Sequence, residues 1–394
     1  MAVDSNLPTV TVSPRGVSRL KNGHVWVYRS DILSADGIPP GAVVRVSDPK
    51  GKPFGTALYS TASQIAIRLL SSSPIEDFPA LLRRRIQEAL RYRELVVTDT
   101  DACRLVFSEA DFLPGLIVDR YNDIVSFQVL TQAMDTEIAR QTIVSELSER
   151  VNPAAIAERV DPRVRQLEQL PPRVSGLIHG EKTNTVITMN GVRFHCAALE
   201  GQKTGSFLDQ RENYAAAAQY AHGEALDVFC YQGGFALHLA PHCSQVTGVD
   251  SSRPALEVAD QNAALNGREI DWLEANAFDL LNDYSAAGRQ LDTIVLDPPA
   301  FAKSRKNLDT ALRGYKELNL RALKMLRSGG ILVTCTCSYH VSQPDFLQMI
   351  SEAAIDAHKT LRILEVRGQA KDHPVLLTVQ ETSYLKAVIC HVSN

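Results

Sequence analysis

The sequence has no pronounced excess of charge of either sign. Its 394 residues include 41 Lys and Arg and 45 Asp and Glu, which gives a formal net charge of -4. This balance argues against a histone-like or tail-driven nucleic-acid binder, although it leaves room for a local basic face.

Segments that would enter a membrane are also lacking. The apolar runs stay well below the roughly 20 residues that span a bilayer. Residues 1–14 do not show the charged and then apolar pattern of a signal peptide. We therefore expect a cytoplasmic protein with no membrane association.

The seven cysteines contain no C-x-x-C pair, which a zinc site or a thioredoxin motif would need. They are scattered and odd in number, so we interpret them as reduced thiols in a cytosol. A metal site built from Cys335, Cys337 and His340 would have poor tetrahedral geometry, because the two thiolates stand one residue apart with no matching pair elsewhere. We therefore predict no metal.

The pattern of apolar segments predicts three domains, a number that also suits the chain length. Residues 1–75 alternate short β-type runs with Gly and Pro, as in a small barrel or sandwich. Residues 76–190 read as an α+β middle domain, with helical periodicity at 78–96 and two strands joined at 121–123. In residues 191–394 apolar strands alternate with helices, which predicts βαβ units, a parallel sheet and an α/β fold.

The first two strands of this last region end in residues suited to a nucleoside. The segment LDVFCYQGGFALHLA carries Gly233-Gly234 in a strand-to-helix turn, where glycine lets a ligand approach the backbone, although a tight turn without a ligand fits equally well. The next strand ends at Asp250, which can accept hydrogen bonds from both ribose hydroxyls. Since the loop is not G-x-G-x-x-G, S-adenosylmethionine fits better than a dinucleotide. After the third strand, the side-chain carbonyl of Asn276 and the backbone that begins at Ala277 lie where they could hydrogen-bond an adenine amino group.

The fourth strand ends in LDPPAFAKS, the most specific stretch of the sequence. Pro298 and Pro299 have no backbone donors and stiffen the loop, so Asp297 and the carbonyls would meet a planar base at fixed angles. Two prolines also serve as a simple strand stop, but the upstream motifs favour the functional interpretation. Phe301 is expected to stack on the target base or to pack the loop, and Lys303 is a candidate for contact with RNA.

Nine segments combine in an order typical of one enzyme family: NGHVWVYRSDI, GQKTGSFLDQREN, DVFCYQGGF, GVDSS, LDPPAFAKS, GYKELN, TCS, DHPV and YLKAV. The combination resembles the bacterial ribosomal RNA large subunit methyltransferase I family, over nearly the whole chain. The resemblance implies methylation of cytosine carbon 5 in 23S ribosomal RNA with S-adenosylmethionine. It also implies a class I methyltransferase domain preceded by a PUA-like RNA-binding domain and a middle domain.

The resemblance further implies a set of residues around the cofactor, in which Asn276 departs from the Asp that related proteins often carry. With the residues that follow the second and third strands, the expected set is Gln210, Arg211, Asp227, Phe229, Tyr231, Gly233, Asp250, Ser251, Asn276, Ala277 and Asp297.

Cys337 is the predicted nucleophile. Carbon 5 of cytosine is a poor nucleophile, so its methylation requires a thiolate that adds at carbon 6. The strand GGILVTCTC should neighbour the strand that ends at Asp297, about 4.8 Å away, so both carboxyl ends would open into one pocket. Asp297 could bind the ring nitrogen and supply a proton. For Cys335, the deeper of the two thiols, we expect a packing role.

A target base inside a folded RNA must leave its stack to reach such a pocket, so the other domains are expected to hold the surrounding RNA. The candidate RNA contacts are Arg15, Arg19, Lys21, Trp26, Arg29, Arg83–Arg85, Lys303, Arg305 and Lys306.

Two rival functions remain open at this point. An RNA N-methyltransferase acting on guanine or adenine would use the D-P-P loop without a nucleophilic cysteine. A noncatalytic RNA-binding protein would keep the fold without binding the methyl donor. The sequence permits a homodimer and does not require one.

Overall fold

The computed structural model of the protein describes residues 7–199, 206–302 and 304–394. Its chain divides into two units. Unit 1 comprises the described parts of Met1–Ile187, Cys196–Ser206 and Lys371–Thr382, and unit 2 comprises Thr188–His195, the described part of Phe207–Ala370, and Ser383–Asn394. The first two predicted domains therefore contribute to one unit, and the boundaries at residues 75 and 190 stay a prediction.

Residues 9–71 of unit 1, in which short apolar runs alternate with turns, form a six-stranded sheet. Its strands are β1 Thr9–Val12, β2 Trp26–Tyr28, β3 Ile32–Ser34, β4 Val43–Ser47, β5 Pro53–Tyr59 and β6 Ile65–Ser71, and helix α1 is Pro14–Lys21. The strand order is β2-β6-β5-β4-β1-β3. The inward residues, such as Val10, Val12, Val44 and Val46, are fully buried and form the core. The expected small β domain is thus present.

The rest of unit 1 is α+β, as its mixed periodicity predicts. Its elements are α2 Phe78–Val96, β7 Ala102–Phe107, β8 Leu116–Tyr121, β9 Ile124–Val129, α3 Glu137–Val151, β10 Ala155–Arg159, α4 Pro162–Leu167 and β11 Gly176–His179. The sheet order is β11-β10-β9-β8-β7. The predicted helix at 78–96 is confirmed, and Leu82 and Ile86 are its fully buried residues. The predicted turn between β8 and β9 is confirmed too, with Asn122 at a left-handed φ of 53°.

The chain passes between the units in a β-hairpin. Strands β12 Asn184–Met189 and β13 Val192–Ala197 form a two-stranded sheet. The turn between them uses Asn190, with φ 50°, and Gly191, with φ 81°, which are the residue types that best tolerate this left-handed backbone.

Unit 2 contains a seven-stranded sheet with helices between its strands. Its elements are α5 Arg211–Tyr220, β14 Glu224–Val228, α6 Gly234–Leu239, β15 Gln245–Asp250, α7 Arg253–Leu265, β16 Asp271–Glu274, α8 Ala277–Ala286, β17 Leu291–Leu296, α9 Leu308–Met325, β18 Leu326–Thr336, α10 Gln343–Asp356, β19 Thr360–Arg367 and β20 Lys386–Ser393. The strands expected before Gly233, Asp250, Asn276, Asp297 and Cys337 are confirmed as β14, β15, β16, β17 and β18.

The strand order places the candidate residues at one edge of this sheet. The order is β16-β15-β14-β17-β18-β20-β19, and the strands from β16 to β18 are all parallel. β20 is antiparallel to both of its neighbours, which the sequence pattern did not predict. The chain order reverses at β14, and ligands of such sheets bind outside the carboxyl ends of the strands at this point. None of the helices in the described residues is long and apolar enough to cross a membrane.

Gly248 lets β15 pack beside β16. It lies opposite Trp272 in the strand register, and a Cβ at this position would lie 2.3 Å from Trp272 Cζ3 and 3.2 Å from Cys230 Sγ. Because 2.3 Å is far below van der Waals contact, an added methyl group cannot be accommodated without a shift of the ring or the strand.

We therefore predict that Gly248→Ala lowers the free energy of unfolding by about 2–3 kcal/mol in a urea titration followed by circular dichroism. Gly176→Ala is the matched control, because a Cβ there meets nothing within 4 Å. Equal stability of the Gly248 variant and the wild type would show that the ring is free to move.

Candidate active site

The loop after β14 holds a constrained backbone. Phe229 and Tyr231 have φ of 69° and 50°, and Gly233 has φ of 85°. Non-glycine residues in this region are uncommon, and each costs of order 1 kcal/mol that the surroundings must offset. Hydrogen bonds supply the support: Cys230 N donates to Val249 O at 2.9 Å, and Gly233 N donates to Cys230 O at 2.8 Å. Such strain held in place is typical of a binding loop.

The two glycines of this loop have a reason that the sequence analysis missed. The sequence left open whether they make room for a ligand or only form a tight turn. In the structure, a Cβ on Gly233 would lie 2.8 Å from Trp272 Cη2, and one on Gly234 would lie 2.5 Å from Tyr214 Cζ. Packing against the protein's own aromatic rings therefore requires both glycines, whatever the loop binds.

Asp250 is held at the end of β15 by two backbone donors. Its Oδ2 accepts from Tyr231 N at 2.9 Å and its Oδ1 accepts from Ser252 N at 2.8 Å. The carboxylate is half-buried, and each oxygen keeps a further acceptor position, which is the capacity that two ribose hydroxyls need. Ser251 beside it is exposed. The fixed carboxylate suits the role predicted for it.

Asn276 differs from its expected arrangement. Its Oδ1 caps α8, accepting from Phe278 N at 2.9 Å and Asp279 N at 3.3 Å. Capping satisfies orphan donors in the first helical turn and occupies both lone pairs of this oxygen. An adenine amino group would have to share this oxygen with the two backbone donors, and the predicted contact of Asn276 with adenine stays a prediction.

Asp227 is a fully buried carboxyl on β14. Its Oδ2 accepts from Ala236 N at 2.9 Å, and its Oδ1 meets no hydrogen-bond partner among the described residues. Burial raises its pKa to about 8, and the charges of Asp297 and Asp250 act in the same direction. The protonated form is therefore favoured near neutral pH, in a site where three carboxyl groups converge.

Gln210 and Arg211 lie at the start of α5 and are almost completely buried. Asn213 Nδ2 donates to Gln210 Oε1 at 2.7 Å, and Asn190 Nδ2 donates to Arg211 O at 2.8 Å. The Gln210 side chain also lies near Cys335, where it acts to lower the pKa of the thiol. The structure thus brings this early motif to the end of β18, more than a hundred residues later in the chain.

The loop after β17 is tied to the end of β18. Ala302 N donates to Ser338 Oγ at 3.2 Å, and Ser338 Oγ lies 2.9 Å from Tyr315 Oη. The Phe301 ring packs on Tyr315, with ring centroids 4.6 Å apart. Of the two functions expected for Phe301, loop packing is therefore the one that its own contacts show. Lys303 lies outside the described residues.

The remaining loop residues differ in exposure. Asp297 is half-buried, Pro298 is buried and Pro299 is exposed. Pro299 thus offers its ring to solvent, whereas Pro298 fixes the direction in which the loop leaves β17.

The two cysteines have different surroundings. Cys335 lies inside β18 and is fully buried, and burial raises its pKa well above that of an ordinary thiol, helped by the charge of Asp297. This agrees with a packing role. Cys337 directly follows Thr336, the last residue of β18, and is partly exposed. Its thiol is therefore the one that a substrate at this edge could reach.

In unit 1, several side chains expected at the RNA surface have protein partners. Arg15 Nε donates to Asp31 Oδ1 at 2.7 Å, and Arg19 lies 3.5 Å from the same carboxylate. Trp26 Nε1 donates to Glu109 Oε1 at 3.0 Å. These contacts give the side chains structural roles. The candidates that are exposed to solvent are Arg15, Lys21, Arg83, Arg84, Arg305 and Lys306.

Comparison with known proteins decides the family. A PUA-like domain model matches residues 10–72, and a model described as S-adenosylmethionine-dependent methyltransferase matches residues 112–391. A protein of Shewanella denitrificans named ribosomal RNA large subunit methyltransferase I is 36% identical over 97% of this chain and 99% of its own. One of the same name from Vibrio parahaemolyticus is 37% identical over 95% of this chain and 96% of its own. The chain belongs to the ribosomal RNA large subunit methyltransferase I family.

Solved structures show the same fold. A methyltransferase crystallised with SAH has a TM-score of 0.83 at 20% identity, over 97% of this chain and 99% of that chain. A SAM-dependent methyltransferase from Streptococcus mutans has a TM-score of 0.82 with the same identity and coverage. The resemblance inferred from the sequence is therefore confirmed, together with the α/β methyltransferase fold, the PUA-like domain and S-adenosylmethionine as cofactor.

The residues at the carboxyl edge of the unit 2 sheet fit this cofactor. Asp250 keeps acceptor positions for two hydroxyls, and Tyr231 lies in a strained loop with its ring edge-on to Phe207, at 5.0 Å between centroids. The cofactor roles of the individual residues stay predictions of the family resemblance.

Three side chains that lie beside the candidate site were not given a role from the sequence. Tyr315, Ser338 and Lys386 occur in GYKELN, TCS and YLKAV, segments that carried the family resemblance without a role for these residues. Their proximity depends on strand order: Lys386 begins β20, which lies beside β18. The motifs themselves were the signal that could have found them.

We predict that Asp227→Asn makes stability less dependent on pH. The folded-state pKa of about 8 exceeds the ordinary value of 3.8, so the folded protein holds a proton that the unfolded chain releases. This contribution is fully present below pH 4 and is lost as the pH rises through 8. Thermal unfolding between pH 6 and pH 9 should show a smaller fall in Tm for the variant than for the wild type.

The exposed Asp283 provides the control for this measurement, since Asp283→Asn should keep the wild-type slope. A wild-type slope retained in Asp227→Asn would show that Asp227 is ionised in the folded state.

We also predict that Ser338→Ala lowers the free energy of unfolding by about 1–2 kcal/mol, because Ala302 N and Tyr315 Oη lose a buried partner. Tyr315→Phe removes the other hydroxyl, and a urea titration of both single variants and the double variant measures their coupling. The double variant should lose less than the sum of the two single losses. Strict additivity would contradict the hydrogen bond.

Proposed function

We propose that the protein methylates carbon 5 of a cytosine in large-subunit ribosomal RNA, most specifically 23S RNA, through a covalent adduct of Cys337 at carbon 6. The observation that carries this proposal is the partly exposed Cys337 thiol at the end of β18. Asp297 follows β17, the strand hydrogen-bonded to β18. A nucleophile and an acid are thus presented from neighbouring strand ends.

The substrate class is supported by the family. The relatives carry ribosomal RNA in their names, and the PUA-like domain is the kind of module that holds RNA. A base inside a folded RNA must be turned out of its stack, and Pro299 and Phe301 would then flank it beside Asp297. This substrate also agrees with the cytoplasmic location expected from the sequence.

The proposed chemistry begins with the Cys337 thiolate, which forms a bond from sulfur to carbon 6. The electron pair of the 5,6 double bond moves towards the ring nitrogen, where Asp297 supplies a proton. S-adenosylmethionine, when bound, provides an electrophilic methyl group for carbon 5. Transfer of this methyl group leaves the donor as a neutral thioether. Water then accepts the carbon 5 proton, the ring nitrogen returns its proton to Asp297, the 5,6 double bond forms again, the sulfur to carbon 6 bond breaks, and Cys337 leaves as a thiolate.

Cys337→Ala should reduce formation of 5-methylcytosine by roughly a thousandfold or more, because no other described thiol at this edge is exposed. The assay uses purified protein, 23S ribosomal RNA and labelled S-adenosylmethionine, followed by nucleoside analysis. Cys243→Ala is the matched control: Cys243 is also partly exposed but precedes β15, at the opposite edge of the sheet. It should keep wild-type activity.

The same assay separates the rival functions. Methylated guanine or adenine that still forms in Cys337→Ala would establish an N-methyltransferase. Equilibrium dialysis with S-adenosylmethionine tests the noncatalytic alternative, which requires that the cofactor does not bind. Either result would overturn the proposed reaction.

A further inference from the structure

Lys386 reaches the candidate nucleophile from the strand next to it. It is the first residue of β20, and in the antiparallel register it lies opposite Thr336, the residue immediately before Cys337. Its side chain is 8% exposed. The ammonium group is therefore buried beside the end of β18, where the thiol is presented.

The hydrogen bonds of Lys386 hold its ammonium group near Cys337. Nζ donates to Ser338 O and to Tyr384 O, each at 3.4 Å. Ser338 follows Cys337 and Thr336 precedes it, so the lysine contacts the chain on both sides of the cysteine. The pairing of β18 with β20 sets the position of Lys386, which is therefore not a flexible side chain on the surface.

The buried ammonium lacks a carboxylate partner. Across residues 7–199, 206–302 and 304–394, no Asp or Glu forms an ion pair with Lys386, and its hydrogen-bond acceptors are two neutral carbonyls. A buried cation without a counter-charge is costly. Burial lowers the pKa of Lys386, and a negative charge on Cys337 opposes that change. A thiolate at Cys337 would provide the missing counter-charge.

Other titratable groups also face this thiol. Tyr315 approaches from α9, where the charge of Cys337 contributes to the raised pKa of the tyrosine. Cys335 lies two residues earlier in β18 and interacts with both Cys337 and Asp297. The raised pKa values keep the tyrosine and the Cys335 thiol neutral near pH 7, so neither supplies a counter-charge, and the Asp297 carboxylate disfavours a second negative charge nearby. A cation in the same place is therefore needed to stabilise a thiolate.

We propose that the Lys386 ammonium is the counter-charge that holds Cys337 as a thiolate, an inference that rests on the proposed nucleophilic function. The thiol proton leaves to solvent, and Lys386 stays protonated before and after the sulfur adds to carbon 6. Lys386 is thus a positioning residue, which acts through the charge of the nucleophile and exchanges no proton with the base.

Alkylation of the full-length protein by iodoacetamide tests this directly, because only the thiolate displaces iodide to form the sulfur to carbon bond. The rate at Cys337 is followed by peptide mass spectrometry from pH 5 to pH 10. In the wild type, the midpoint of the pH–rate profile should lie below the ordinary thiol value of about 8.5. In Lys386→Met, the midpoint should rise and the rate at pH 7 should fall about tenfold. Lys386→Arg should restore most of the rate.

Two controls accompany the measurement. Cys243 in the same samples reports general reactivity and should be alkylated equally in all variants. Lys324→Met removes an exposed cation from α9 and should leave the Cys337 profile unchanged.

The possible results separate the inference from the proposed function. A wild-type midpoint at or above the ordinary thiol value would overturn the inference, even if Lys386→Met failed to fold. A folded Lys386→Met with the wild-type profile would overturn it as well. By contrast, undiminished methylation by Cys337→Ala, together with a Lys386-dependent profile, would remove the proposed function and leave the ion pair in place.

Discussion

The parallel pairing of β14 with both β15 and β17 is the constraint on which the candidate site depends. The hydrogen-bond register aligns Val228 with Val249 on one side and with Leu296 on the other. The loops that follow these strands therefore leave the sheet at the same level, although their residues are about twenty and about seventy positions apart in the chain. Asp250 ends β15 and Asp297 follows β17, so both carboxyl groups lie at the same edge of the sheet.

The convergence of carboxyl groups has an electrostatic consequence. Asp227 is buried with its Oδ1 unpartnered among the described residues, and its pKa is raised by burial and by the two neighbouring carboxylates. Asp227 is therefore mostly protonated near neutral pH, and the Asp250 and Asp297 carboxylates supply the negative charge that favours a cationic methyl donor at the edge of the sheet. Lys386 supplies positive charge from the other side, next to the thiol.

Aromatic packing and hydrogen bonds of hydroxyl groups hold the loops of the candidate site in place. Trp272 and Tyr214 fill the space where the loop glycines have no side chains, which holds the strained backbone after β14. Tyr315 and Ser338 join the loop after β17 to the end of β18. A nucleophile and an acid can act together only when their loops keep a fixed separation, and these contacts provide it.

Local patterns in the sequence determined much of the protein. The alternation of strands and helices predicted the α/β fold, and short motifs identified the family. The helix at 78–96 follows from the periodicity of its apolar residues, and the hairpin turn at Asn122 follows from turn chemistry. These features depend on neighbours in the chain, so the sequence shows them directly. The antiparallel insertion of β20 and the contact of Gly234 with Tyr214 depend on partners that are close only after folding. The tertiary structure alone decided that Lys386 lies beside Cys337, because strand order, and no local pattern, brings residues fifty positions apart into one register.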